Sequence, residues 1–105
     1  MSNLGDSMLD TLTADMFEPL VDTEFTAAAG EHADRFTLVQ VARGRHAVPE
    51  GMRAPFTLVF VGERGDIRFE NMIELSHPAI GTVMLSVLPM LRLPRGNHEY
   101  QASFS

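Results

Sequence analysis

Four histidines, His32, His46, His77 and His98, are the side chains of this sequence best suited to proton transfer or metal ligation. None stands at the His-x-His or His-x-x-x-His spacing that sets two ring nitrogens on one face of a strand or helix. Each lies in or beside a turn, which reads as solvated or turn-capping histidine. His98-Glu99-Tyr100 offers an acid beside a base, but neighbours on a strand point to opposite faces, so the trio does not converge. An enzyme reading therefore requires His77 or His98 to meet a carboxylate from elsewhere within one pocket.

Other reaction chemistries find less. No Gly-x-Ser-x-Gly elbow occurs, and the absence of cysteine removes thiol nucleophiles, thiolate metal sites and disulfides together. Gly62 and Gly65 are spaced like part of a phosphate loop, yet Glu63 and Asp66 would repel a phosphate and the chain has no lysine. The expectation is no catalytic residue, no cofactor and no metal.

Charge narrows the partners. The net charge of −6 opposes binding to nucleic acid, which depends on cations displacing counterions from phosphates. The eight arginines are scattered, with Arg43/Arg45 and Arg92/Arg95 the closest groupings. No apolar run approaches the ~20 residues of a membrane span, and Met1-Ser2-Asn3-Leu4-Gly5-Asp6 lacks the basic and apolar regions of a signal peptide. Cytoplasmic synthesis is expected.

The elements that must carry these residues are short. A chain of 105 residues, 45% hydrophobic and 21% charged, suits one folded domain. Seven phenylalanines and seven methionines are expected to supply much of its core. Residues 1–12 read as an N-terminal arm and 13–105 as a single β domain. Thr13 is placed to cap one helical turn with Met16 and Phe17 facing inward, and Pro19 stops a longer helix. Strands are expected over 23–28, 35–43 and 55–63, with a long surface connection at 44–54. Residues 62–66 read as a hairpin-like turn into Ile67-Arg68-Phe69. Residues 71–77 alternate, His77 to Gly81 turns, a strand runs from 82 to Pro89, and 98–105 closes with Tyr100, Ala102 and Phe104 on one face. The fold class is all-β: a small antiparallel barrel or sandwich of about six strands with one short helical turn.

One strand is apolar on both faces. Phe56, Leu58 and Phe60 share one side, while Thr57, Val59 and Val61 occupy the other, which a small antiparallel domain ordinarily leaves to water. Thr57, Val59 and Val61, with Met8, Leu9 and Leu12 of the arm, are the candidate interface residues. The alternative is a barrel that holds an apolar small molecule among Phe36, Phe56, Phe60 and Met84.

Four segments together resemble an uncharacterised bacterial domain family. They are Phe17-Glu18-Pro19-Leu20-Val21 with Thr23 and Phe25, Arg53-Ala54-Pro55-Phe56-Thr57-Leu58-Val59-Phe60, Leu75-Ser76-His77-Pro78-Ala79-Ile80-Gly81, and Tyr100-Gln101-Ala102-Ser103-Phe104. The likeness spans about residues 17 to 105, and it departs at Asp22, where the family usually has glycine. The resemblance implies genes for phage tail-collar-type proteins as neighbours, and no catalytic residues. The expected function is a non-enzymatic structural or interaction subunit, a homo-oligomer or a binder of a tail-fibre-like protein.

Overall fold

The structure, a computed structural model, describes residues 12–44 and 55–104. One helical turn, α1 (Ala14–Phe17), runs into a 3₁₀ turn, Glu18–Leu20. Six strands follow: β1 (Glu24–Ala29), β2 (His32–Arg43), β3 (Phe56–Gly62), β4 (Asn71–His77), β5 (Gly81–Arg92) and β6 (His98–Phe104). Their order is β1-β2-β3-β6-β5-β4, and β4 pairs back onto β1, so the antiparallel sheet closes into a barrel. Closure leaves no lone edge strand to pair with strangers.

Alternation builds the core. Phe25, Phe36, Leu38, Leu58, Phe60, Ile73, Leu75, Tyr100 and Ala102 point inward at 0 to 1% exposure, as the two-residue period of a strand requires. Phe36 stacks on Tyr100 with ring centroids 4.6 Å apart, and Phe25 meets Phe60 edge-on at 5.4 Å. Phe17 from α1 plugs one end of the barrel against Phe25, Phe56 and Phe104. Arg43 fastens that plug to β2: its Nε donates to Glu18 Oε1 at 3.0 Å, and its Nη2 pairs with Asp15 and Glu18. The arginine draws the Glu18 carboxyl below its ordinary titration range.

Several expectations are corrected. Thr13 is extended as a capping residue should be, but its side chain makes no capping hydrogen bond. Of Met16 and Phe17 only the phenylalanine is buried; Met16 is 38% exposed. Leu12, assigned to the arm, is 1% exposed and joins the core. Pro89 does not end its strand: β5 continues to Arg92, and the register slips there, three steps along β5 matching two along β6. Such an irregularity is where a strand tolerates a residue with no N–H to donate.

The largest correction concerns residues 63–70. They form no strand, and β3 makes no hairpin with β4, because β6 and β5 lie between them in the sheet. The segment crosses one end of the barrel, where Ile67 and Phe69 are buried. Tyr100 holds it: the Phe69 amide donates to the Tyr100 hydroxyl at 3.1 Å, and that hydroxyl donates to the Ile67 carbonyl at 3.3 Å. Asp34, a buried carboxylate, steadies the entry to the crossing by accepting the backbone N–H groups of Arg35 and Arg64. Gly62 makes this possible, since a Cβ there would stand 2.9 Å from Asp34 Oδ2 and 3.0 Å from the Tyr100 ring.

Candidate interaction face

Each inward residue of a strand commits its neighbours to the outside. On β3 the outward positions are Thr57, Val59 and Val61, and on β6 they are Glu99, Gln101 and Ser103, paired as Thr57–Ser103, Val59–Gln101 and Val61–Glu99. Leu88 of β5 stands opposite Gln101, which extends the middle row to Gln40, Val59, Gln101 and Leu88 across four strands. The outward residues of β5 include Met84, Ser86, Leu88 and Met90, with Leu91 and Arg92 exposed at its end, and β4 adds Met72 opposite Ser86 and Glu74 opposite Met84. Among the outward residues of β3, β6 and β5, Glu99 is the one carboxylate. Charge depletion with exposed methionine is the composition of a contact surface.

Exposure rises across this face from β3 to β5. Val59 is 8% exposed within the single chain, and Thr57 and Val61 are half-buried, with Thr57 hydroxyl-bonded to Ser103 at 3.1 Å. Leu88 is 64% exposed, Met72 51%, Met90 49% and Met84 45%. The face expected on β3 is therefore carried mainly by β5. Two shallow hollows interrupt it, one of about 220 Å³ lined by Ala28, Met72, Glu74 and Met84. The other, of about 240 Å³, lies between β5 and β6 against Ser86, Leu88, Gln101 and Ser103.

For the described methionines this distribution overturns the expected core role. All four described methionines, Met16, Met72, Met84 and Met90, are exposed, and phenylalanine, leucine, isoleucine and valine fill the interior. Flexible thioethers on a surface adapt to a partner's shape. Of the residues expected to cradle a small molecule, Phe36 and Phe60 pack on each other in the core at 5.7 Å and Phe56 stacks on Phe104, whereas Met84 faces outward. The four residues do not share a cavity. Met8 and Leu9 lie outside the described residues.

Among the described residues no histidine is ion-paired with a carboxylate, although His32, exposed at the start of β2, lies near enough to Asp66 for its charge to help lower that carboxyl. His77 Nδ1 accepts the Ala79 N–H at 3.0 Å, which leaves Nε2 protonated to donate to Thr23 Oγ1 at 3.1 Å, while Thr23 donates onward to the Leu20 carbonyl at 2.6 Å. Every donor in that chain meets an acceptor. It ties the β4–β5 hairpin to the 3₁₀ turn, a positioning role that spacing in the sequence does not reveal. His98 sits 6.1 Å from the Tyr100 ring at the far rim. His46 lies outside the described residues. Among the described residues no cluster of three or more histidines or carboxylates could hold a metal ion, and no helix is long and apolar enough to cross a membrane.

A sequence family described as "Domain of unknown function (DUF6916)" matches residues 12–104. No curated protein and no solved structure matches the chain.

Proposed function

The chain belongs to the DUF6916 family, and from that premise we propose that it is a non-enzymatic structural subunit which binds a second copy of itself through the outer face of β3, β6 and β5. One observation carries the reading: in a chain of net charge −6, this sheet face presents Leu88, Met84 and Met90, and its carboxylates, Glu99 of β6 and Glu74 of β4, stand at its two margins. Two acidic copies meet there with the least repulsion, and burial of apolar surface supplies the attraction. The hollows beside Met84 and Leu88 give a partner's side chains somewhere to seat, which is how the central residues of interfaces gain affinity.

Sedimentation equilibrium of the purified chain over a wide concentration range tests the proposal. A mass that climbs from one chain to a multiple with concentration supports it. The tail-collar-type partner implied by the resemblance enters as a second arm, in which such a protein is mixed with the chain. A chain that stays monomeric alone but co-sediments with that protein replaces self-association with hetero-association.

A further inference from the structure

We propose that Met72, Met84 and Met90 are a modification site, at which a peroxide converts the thioethers to sulfoxides and so switches off association through this face. The inference rests on the self-association reading above and adds its regulation.

The three side chains are 45 to 51% exposed and share the outer surface of β4 and β5. In each reaction a sulfur lone pair attacks one peroxide oxygen. An S–O bond forms and the O–O bond breaks. The sulfur loses two electrons, the peroxide is reduced, and its second oxygen leaves as water or an alcohol. The product is polar where the thioether was apolar, so the contact loses the surface that drives it. Met72 has a further feature. The Ser86 hydroxyl donates to its sulfur at 3.7 Å, a weak acceptor, and the same hydroxyl stands ready for the stronger sulfoxide oxygen. Because no described methionine lies in the core, the barrel has no described thioether whose oxidation would unpack it. Oxidation can then change the surface while the fold persists.

The experiment treats the full chain with hydrogen peroxide. Peptide mass mapping locates the sulfoxides, circular dichroism follows the fold, and sedimentation equilibrium follows association. The expected result is sulfoxide at all three positions, an unchanged fold, and an association constant reduced by at least about tenfold, equivalent to about 1.4 kcal/mol. A triple variant, Met72→Leu with Met84→Leu and Met90→Leu, keeps four of the seven methionines and should associate normally before and after peroxide. Treated wild type that carries three sulfoxides and associates unchanged overturns the switch and leaves the association reading intact. A triple variant that dissociates on treatment as the wild type does also overturns it. Untreated protein that is monomeric throughout overturns the association reading and the switch together.

Discussion

The hydroxyl of Tyr100 accepts the amide hydrogen of Phe69 from the segment that closes one end of the barrel. Both residues are buried, so water cannot replace the bond. Tyr100→Phe keeps the ring stacked on Phe36 but leaves the Phe69 N–H and the Ile67 carbonyl unpaired. The expected loss is about 1–3 kcal/mol, read as a lower urea midpoint at an unchanged slope.

The same burial fixes the sign of an alkaline effect. Desolvation raises the Tyr100 phenol above its ordinary value of about 10. A raised native value means the folded state holds its proton longer than the unfolded chain does. Stability is therefore full below about pH 10 and falls as the pH climbs beyond it through the native value. Tyr100 is the only tyrosine and the chain has no tryptophan, so tyrosinate absorbance reports this group alone. The native protein should titrate at higher pH than the urea-unfolded chain.

Gly62 should not accept a side chain. A methyl group there meets Asp34 Oδ2 at 2.9 Å and the Tyr100 ring at 3.0 Å, and both neighbours are held by hydrogen bonds. Gly62→Ala is expected to cost about 1–3 kcal/mol by overpacking, measured by thermal or urea unfolding.

Asp22 should gain from the opposite change. Its φ is 70°, in the left-handed region that glycine enters freely and aspartate at a cost. Its backbone N–H bonds the Leu38 carbonyl at 2.7 Å and fixes that geometry. Asp22→Gly is expected to raise stability by up to about 1 kcal/mol. A lower melting temperature would contradict this account of the turn.

The barrel was legible because short strands broken by turns alternate, as where the inward Tyr100 and Ala102 are flanked by Glu99, Gln101 and Ser103. The crossing segment was not. Ile67-Arg68-Phe69 alternates like a strand after a glycine-rich turn, and what makes it a plug is a hydroxyl 31 residues away from Phe69, a partner no local pattern announces. The methionines misled for a related reason: composition counts their volume without saying which side of a strand they occupy. The alternation of Val83, Leu85 and Val87 with Met84, Ser86 and Leu88 contained that answer. The continuous hydrophobic run points to β3 for the apolar second face, although β5 carries the more exposed residues. His77 could be placed at a turn, but its bond to Thr23 joins residues 54 apart and depends on the closed barrel.

Leu88 is the residue on which the association reading depends most. It is 64% exposed, so Leu88→Asp should shift the stability of the barrel by no more than about 0.5 kcal/mol, while placing a charge in the middle of the proposed contact. Light scattering coupled to size-exclusion chromatography compares the two proteins directly. Wild-type protein is expected at a multiple of the 11.6 kDa chain mass and Leu88→Asp at the mass of one chain, equally folded. Wild-type protein at one chain mass at every concentration, or a Leu88→Asp variant that associates as the wild type does, would contradict the association reading.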